Sequence, residues 1–333
     1  MENREYFRAC SYCEVGESHI GWGKPCEDTV LTGQHPETGV TAAVVSDGAG
    51  SCSFAKVGSE ITANAALDLL LNQFDALYEL SSPAFAETVL GCIRSLLQER
   101  AESLETDIAE LSATLVCAAM APDGRYLFFH VGDGIIAVCD EKGVCRVISQ
   151  YYHEIARNFT TFVTIPDTPY NYGKGQGGIA AFLLTSDGSE YLMTFDDGWM
   201  TPQADLLVQM SVFFPPERME DELRQLTAYY KELGMYDDAS YALISDKRCA
   251  AGVFDGMDPE LRQMLFYLPE KSTPHMFRQL HDAFALLAEH PEGVPESQMM
   301  RVLHTHKKWN TFRKLAGLLT AETIRLHEGK YYF

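Results

Sequence analysis

Short apolar segments that end on an aspartate beside glycine recur along this chain, and they constrain its fold more than any other feature. The run 42–45 leads into Asp47 in the sequence SDGAG, and the run 179–184 leads into Asp187 in the sequence SDG. Apolar runs of this length are typical of buried strands, and glycine lets the backbone turn tightly enough for a carbonyl to share an ion with the acid. A single Asp-Gly pair most often marks only a turn, so the prediction of an ion site rests on the repetition of this pattern along the chain. The acids that we predict at strand ends are Asp28, Asp47, Asp133, Asp187 and the neighbours Asp237 and Asp238.

Hydrophobic periodicity divides most of the chain into strands and helices. Alternating or continuous apolar patterns predict strands at 8–15, 30–31, 40–46, 112–120, 126–131, 135–140, 144–149, 179–184 and 241–245. Apolar residues at every third or fourth position predict helices at 54–80, 81–104 and 216–233. Because short turns join several successive strands, we expect an antiparallel meander with two long helices covering one side of a sheet.

The segment 151–178 is rich in Tyr, Thr, Pro and Gly and has no clear period. This composition favours a mobile surface loop, with a lid over a site as the alternative. The sequence GKGQGG at 173–178 is not a Walker phosphate-binding loop, since no Gly-Lys-Ser/Thr sequence follows it.

Charge and composition limit the classes of protein to which this chain can belong. The formal net charge of -21 repels nucleic acids and anionic membrane surfaces, although a local basic patch can still exist. No apolar run approaches the length needed to cross a bilayer, and the first residues, MENREYFRAC, lack the apolar region of a signal peptide. We therefore expect a soluble, cytoplasmic protein of 333 residues, whose 46% hydrophobic content suits one large domain and a smaller one.

The nine cysteines form an odd set that is scattered largely among apolar neighbours. This pattern favours reduced, buried thiols over a disulfide framework. Cys10 and Cys13 have the spacing of zinc ligands, but no second pair completes a set of four, so we do not expect a zinc site there.

A group of aspartates with a main-chain carbonyl offers only oxygen ligands, which select hard cations such as Mg2+ or Mn2+ over Zn2+. Three or more carboxylates exceed the need of one ion, so a site for two ions is the simpler interpretation. Two ions that share a water lower its pKa and direct it at phosphorus, while their charge stabilises the anionic transition state. This chemistry needs no protein nucleophile, and the chain contains no Gly-x-Ser-x-Gly sequence.

Six motifs in a fixed order make the chain resemble a known enzyme family. They are CEDT, VVSDGAG, SATLVCA, HVGDGIIAV, LLTSDG and DDASYALI, within about residues 8–246. With these motifs the chain resembles the metal-dependent protein phosphatases of the PPM type, the protein phosphatase 2C superfamily, in its bacterial form. The resemblance implies an α+β fold, a four-layer α-β-β-α sandwich of two antiparallel sheets flanked by helix pairs, with metals bound at one end between the sheets.

The resemblance also implies a role for each matching acid. Asp47 looks like the ligand that bridges two metals, with Gly48 giving its carbonyl, and Asp133 lies where relatives hold a third, weaker metal. Asp238 occupies a position that is usually asparagine, and Glu27 would act through water. The implied metal ligands are Asp28, Asp47, Gly48, Asp133, Asp187, Asp237 and Asp238. The implied catalytic residues are Asp28, Asp47, Asp187 and Asp237, and the implied cofactors are two Mn2+ or Mg2+ ions with a third, weaker one.

Departures from the family pattern concern substrate binding rather than the acids. Bacterial relatives often have an arginine that binds phosphate five residues before the first-motif aspartate, and here that position is Gly23. The adjacent Lys24 is our candidate for binding the substrate phosphate, but as a point charge without the paired donors of arginine. The second motif ends Gly50-Ser51 instead of Gly-Gly.

Residues 249–333 lie beyond the resemblance, so we predict domains at 1–248 and 249–333. Helical patterns at 259–268, 275–289, 295–302 and 306–319 precede a terminal hairpin around 327–330, an order that resembles a winged-helix domain. Between Glu296 and Glu322 there is no acid, while the stretch 301–314 contains five Lys or Arg residues around Trp309. This basic patch is either a docking surface for an acidic partner or nucleic acid, or a solvated helix face that packs against the acidic main domain, and we favour the second interpretation.

The leading hypothesis is the hydrolysis of phosphoserine and phosphothreonine on proteins. In this role the protein would oppose a Ser/Thr kinase in signalling. The first alternative is a pseudophosphatase that binds phosphoproteins, suggested by Gly23 and the additional tail. The second alternative is a hydrolase of small phosphoesters. A phosphorylated protein is the expected partner, and neither a membrane nor nucleic acid is expected.

Overall fold

The computed structural model describes residues 6–150, 160–195, 199–233 and 236–333. The strands are β1 Phe7–Glu14, β2 Thr29–Gln34, β3 Thr41–Ser46, β4 Leu115–Met120, β5 Arg125–Val131, β6 Ile135–Asp140, β7 Cys145–Gln150, β8 Asn171–Gln176, β9 Ile179–Thr185, β10 Ala239–Asp246, β11 Val294–Pro295, β12 Arg325–His327 and β13 Lys330–Tyr332. The helices are α1 Glu17–Trp22, α2 Ala55–Asn72, α3 Phe74–Glu79, α4 Ser82–Ser103, α5 Glu190–Met193, α6 Pro202–Phe213, α7 Pro216–Glu232, α8 Ala250–Gly256, α9 Pro259–Leu265, α10 Pro274–Glu289, α11 Glu296–Val302 and α12 Lys308–Thr320. None of the helices in these ranges is both long and apolar enough to cross a membrane.

Two antiparallel sheets face each other across an apolar layer. One has the strand order β1-β10-β9-β6-β7 and the other has the order β2-β3-β4-β5-β8. Val45 and Val116 of the second sheet pack against Ile136, Phe182 and Ile244 of the first. Side chains alternate along a strand, so the neighbouring residues of each strand face the opposite way.

The outward faces of both sheets are covered by helices. Val44 and Cys117 of the second sheet pack with residues of α2 and α4, including Leu69 and Ile93. Leu183 and other residues of the first sheet pack in a separate cluster with α6 and α7. Because β3 and β9 are buried on both faces, they read as continuous apolar runs, and the predicted four-layer sandwich is confirmed.

The predicted helix 54–80 is two helices. The chain leaves the helical conformation at Gln73, where φ is -125° and ψ is 17°, and α3 begins at Phe74. Phe74 and Leu77 of α3 are buried in the same core as α2, at 2% and 1% exposure. No proline or glycine marks the break, so we attribute it to the burial of these two side chains.

The prediction of a loop at 151–178 is wrong for residues 171–176, which form a strand. Residues 151–159 lie outside the described residues, but Asn171–Gln176 is an edge strand that pairs with β5. A Cβ at Gly173 would lie 2.4 Å from the ring of Phe128, and one at Gly175 would lie 2.5 Å from the hydroxyl oxygen of Tyr126. Glycine is needed because aromatic side chains of β5 lie across the strand, so the composition that suggested a loop has a packing cause.

Residues 249–333 have the connectivity of a winged-helix unit. Helix α10 is followed in order by β11, α11, α12, β12 and β13, and the strands form a small sheet with the order β11-β13-β12. The predicted helices and terminal hairpin are thus present, with the first helix ending earlier, at Leu265. Helix α8 was not predicted.

This C-terminal unit shares its apolar core with the first sheet and its helices. The ring centroid of Phe213, at the end of α6, lies 5.0 Å from that of Phe266 and 5.2 Å from that of Phe284. All three side chains are fully buried and belong to one cluster with Leu315 and Tyr331. A domain boundary after residue 248 therefore remains a prediction, because the core continues across it.

We expect Phe284→Ala to lower the free energy of unfolding by about 3–5 kcal/mol, because it removes a fully buried ring and leaves a cavity. The matched control is Phe312→Ala, since Phe312 is 41% exposed on α12 and should cost less than about 1 kcal/mol. Urea denaturation of both variants measures the difference. Equal losses would contradict the shared core.

Candidate metal centre

Three aspartates from different parts of the chain converge at one end of the sandwich. Asp47 follows β3, Asp133 lies between β5 and β6, and Asp187 follows β9. One carboxylate oxygen of each lies within 4.8 Å of the others, so the three could hold a metal ion. Because β3 and β9 belong to different sheets, the carboxylates meet between the sheets.

Asp28 lies beside this cluster and is almost completely buried, at 2% exposure. Its Oδ2 atom has no hydrogen-bond partner among the residues that the structure describes. A buried carboxylate oxygen without a partner is unfavourable, and a bound cation would satisfy it. The oxygen-only donor set and this orphaned atom together fit a hard divalent cation.

Burial and mutual repulsion disfavour negative charge on these groups. Burial is the main cause that raises the pKa of Asp47 well above its usual range, and the charges of Asp28, Asp187 and Asp133 add to it. Burial, with the charges of Asp133 and Asp237, raises the pKa of Asp187 to about 7. Burial likewise raises the pKa of Asp28, partly opposed by hydrogen bonds from hydroxyl groups. The cluster is therefore poorly able to carry all of its charges by itself.

The backbone around Asp47 is held by the strand-end sequence 112–114. The N–H of Asp47 donates to Thr114 Oγ1 at 3.0 Å, and the N–H of Thr114 donates to the carbonyl of Asp47 at 2.8 Å. A Cβ at Gly48 would lie 2.5 Å from the carbonyl oxygen of Ala55 and 2.9 Å from that of Glu27. Only glycine fits there, so the loop brings the Gly48 backbone against the segment that carries Asp28.

The turn that carries Asp133 is fixed by a histidine that the sequence did not single out. His130 is 2% exposed, and its Nε2 lies 3.1 Å from the carbonyl oxygen of Asp133 while its Nδ1 lies 2.7 Å from Ser149 Oγ. Burial lowers the pKa of His130 to about 4, so the ring is neutral, donates from Nε2 to the carbonyl and accepts from Ser149. Thr160 also donates a hydrogen bond to Asp133 Oδ2. The sequence signal was the histidine in HVGDG, three residues before the acid.

Asp237 and Asp238 have different surroundings, although both were predicted as metal ligands. Asp237 is exposed, and its charge raises the pKa of Asp187, so it borders the cluster. Asp238 is 3% exposed, and its two oxygens accept the N–H of Gly16 at 2.7 Å and the N–H of Glu27 at 2.6 Å.

His19 Nδ1 also contacts Asp238, at 2.9 Å from Oδ2. Both oxygens of Asp238 thus accept hydrogen bonds from the segment that leads into Asp28. The metal-ligand assignment of Asp238 stays a prediction, and we propose that its contacts position that segment.

Lys24, the predicted phosphate-binding residue, is engaged within the protein. Its Nζ lies 3.1 Å from Glu27 Oε1 and 2.9 Å from the carbonyl oxygen of Gly50. The contact joins the Glu27 segment to the loop after Asp47. Gly23 ends α1 with a φ of 68°, a conformation that favours glycine over the arginine often found in relatives.

Comparison with known proteins places these features in a family. The family model described as protein phosphatase 2C matches residues 15–227. No curated protein matches the chain.

Several solved structures share the fold. PppA of Pseudomonas aeruginosa, described as a key regulatory component of its T6SS, is 21% identical with a TM-score of 0.50, over 72% of this chain and 98% of that one. The serine/threonine phosphatase Stp1 of Staphylococcus aureus is 18% identical with a TM-score of 0.51, over 74% and 97%. The serine/threonine phosphatase of S. agalactiae is 17% identical with a TM-score of 0.52, over 72% and 100%. At these identities the likeness shows the fold.

We expect Asp238→Ala to lower the free energy of unfolding by about 2–4 kcal/mol, because two buried N–H groups and the His19 ring lose their acceptor. Asp237→Ala is the matched control, since the neighbouring Asp237 is exposed and should cost at most about 0.5 kcal/mol in metal-free protein. Urea denaturation with a chelator compares the two. A larger loss in the Asp237 variant would contradict the positioning role.

We expect the metal-free protein to lose stability as the pH rises. The folded protein raises the pKa of Asp187 from 3.8 to about 7, so it binds this proton more tightly than the unfolded chain does. The resulting stability is complete below pH 3.8 and is lost as the pH rises through about 7. Thermal unfolding in chelator across this window measures the fall, and Asp187→Asn should make it shallower. Parallel profiles for the two proteins would count against this assignment.

Proposed function

This chain belongs to the protein phosphatase 2C family, whose members are metal-dependent serine/threonine phosphatases, and from that premise we propose that it hydrolyses phosphoserine and phosphothreonine on proteins. The observation that carries the proposal is the convergence of Asp47, Asp133 and Asp187 beside the unpaired oxygen of Asp28. Family membership supplies the reaction class, and the cluster supplies a place for it.

The residues that would hold two Mn2+ or Mg2+ ions are those with oxygens at the cluster. We propose that Asp47, the carbonyl of Gly48, Asp28, Asp187 and Asp237 would hold these two ions. Asp133 would hold a third, weaker ion. When bound, such cations supply an activated water for attack on phosphorus and neutralise the phosphoryl charge.

The chain's own contribution is to position these oxygens before the cations bind. The Thr114 contacts hold the Asp47 backbone, and the neutral His130 holds the Asp133 carbonyl. Asp238 accepts the N–H of Glu27 and so fixes the residue before Asp28. Fixed ligands need little reorganisation when charge develops at phosphorus, which supports catalysis over loose ion binding.

The protein substrate and its opposing kinase belong to the proposal. Phosphorylated Ser and Thr side chains present a dianionic phosphate on a short stem, which suits a site at the rim of two sheets. We propose that Lys24 contributes positive charge there, after exchanging Glu27 for the phosphate.

A second candidate function is a pseudophosphatase that binds phosphoproteins without turnover. The contacts of Lys24 with Glu27 and Gly50 favour it, because they engage the predicted phosphate-binding cation. Gly23 at the position of the usual arginine favours it as well.

We expect Asp47→Asn and Asp187→Asn each to lower Mn2+-dependent phosphate release from a phosphothreonine peptide by at least about a hundredfold. Each substitution removes a charged ligand without changing the size of the side chain. Asp282→Asn is the matched control, because Asp282 is an exposed acid on α10 and should leave the rate unchanged. Calorimetric titration with Mn2+ gives an independent measure, since both site variants should bind the ion more weakly.

The same assay separates the candidate functions. Phosphopeptide binding without phosphate release in the wild-type protein would favour the pseudophosphatase. Release from nucleotides or sugar phosphates but not from phosphopeptides would indicate a small-molecule hydrolase. Full turnover in the Asp47→Asn variant would refute the metal centre.

A further inference from the structure

We propose that the C-terminal unit binds double-stranded DNA through α12, its preceding turn and the β12–β13 hairpin. The proposal is independent of the phosphatase site. It rests on the connectivity of this unit, on the exposed residues of α12 and on a local excess of positive charge.

Helices α11 and α12 form a helix-turn-helix. Helix α11 ends at Val302, the turn includes His304 with a φ of 49°, and α12 begins at Lys308. In DNA-binding proteins with this arrangement, the second helix lies in the major groove and its first residues reach the bases. The hairpin β12–β13 follows α12 directly and exposes Arg325 and His327, so it flanks the helix.

The two faces of α12 differ sharply. Leu315 and Leu318 are buried and pack in the shared core, and Thr311 is buried as well. On the other face, Trp309 is 67% exposed and Phe312 is 41% exposed. Their ring centroids are 5.9 Å apart with a 21° angle between the planes. This face of α12 is therefore exposed to solvent. Such exposure is compatible with both sequence interpretations, a docking surface and a solvated helix face.

The cations of this region lie on the exposed face and in the turn before it. Lys307, Lys308 and Arg313 are exposed, and Lys308 pairs with Glu296 at 2.6 Å. Within the described parts of the chain, no ion pair involves Lys307 or Arg313. Lys314 differs, since its Nζ donates inward to Gln279 Oε1 and the carbonyl of Leu303.

Charge along the chain is strongly uneven. Residues 297–333 contain seven Lys or Arg and two Glu, whereas the whole chain contains 26 Lys and Arg against 47 Asp and Glu. The positive end therefore attracts a polyanion although the net charge is -21. Duplex DNA fits better than an acidic protein segment, because a helix between a turn and a hairpin matches a groove lined on both sides by phosphates.

DNA bound at the basic surface of α12 would not cover the acidic cluster. The acidic cluster lies where β3 and β9 end, and β10 runs antiparallel to β9. The chain enters the C-terminal unit after Asp246, the last residue of β10, which is at the opposite end of the sandwich. The anionic site and the cationic surface are thus separated along the strands.

Fluorescence anisotropy of the full chain with a labelled duplex of about 20 base pairs, two turns of DNA, tests the proposal. We expect binding at about 50 mM salt that weakens roughly a hundredfold at about 200 mM, as four released phosphate contacts would give. Lys307→Glu/Lys308→Glu/Arg313→Glu should weaken binding at least about tenfold and reduce the salt slope by about three. DNA should quench Trp309 fluorescence, and the quenching should disappear in Trp309→Phe.

The matched control is Arg100→Glu/Lys142→Glu/Arg146→Glu, which makes the same change of charge at exposed positions of the sandwich. It should weaken binding by no more than about threefold, because salt screens distant charges. If the first triple variant fails to fold by circular dichroism, Lys307→Gln/Arg313→Gln replaces it and spares the contact with Glu296. Absence of binding at low salt, equal losses in both triple variants, or equal or tighter binding of polyglutamate or single-stranded RNA would each overturn the proposal.

Discussion

Four aspartates, Asp28, Asp47, Asp133 and Asp187, lie together at one end of the sandwich, where burial and mutual repulsion both disfavour their negative charge. A fold can keep such a group only if other interactions stabilise it or a cation compensates it. Asp47 directly follows β3 and Asp187 lies just after β9, and both strands are buried on both faces, so their apolar burial offsets the destabilising effect of the carboxylates. The rigid strands also keep the acids from relaxing apart.

Local polar contacts then fix the direction of each carboxylate. The Thr114 side chain holds the Asp47 backbone, and His130 holds the Asp133 carbonyl while its other nitrogen contacts Ser149. Both supporting residues are buried, and burial keeps the histidine neutral. A charged imidazole would partly compensate the negative charge of the aspartates. Because His130 is neutral, that compensation has to come from a bound cation.

The strand pattern and the acids at strand ends could be predicted, because burial on both faces and Asp-Gly turns leave direct marks in sequence. The orientation of the acids could not. Asp237 and Asp238 are adjacent, but Asp237 is exposed and borders the cluster, whereas Asp238 is buried and accepts backbone hydrogen bonds. Those bonds come from the N–H groups of Gly16 and Glu27, more than two hundred residues earlier, so no local pattern reveals them.

Composition also misleads where packing sets it. The glycines of β8 suggested a loop, but they make room for aromatic side chains of β5, a contact that no local pattern reveals. The break at Gln73 carries no glycine or proline because its cause is the burial of Phe74. The role of His130 depends on its hydrogen bond with Ser149 in β7. The HVGDG motif contains the histidine but does not identify this partner.

The C-terminal unit poses the question of where one domain ends. Connectivity places a boundary near residue 248, since a complete winged-helix order of elements follows it. Side-chain packing does not indicate a boundary there, because Phe213 of the sandwich contacts Phe266 and Phe284 of the following unit within one core. An independent domain would need to cover these rings by itself, and exposure of several buried phenylalanines would cost several kcal/mol. The boundary is therefore one of topology, while stability is shared, and the basic surface of α12 is held by the same core that supports β9 and Asp187.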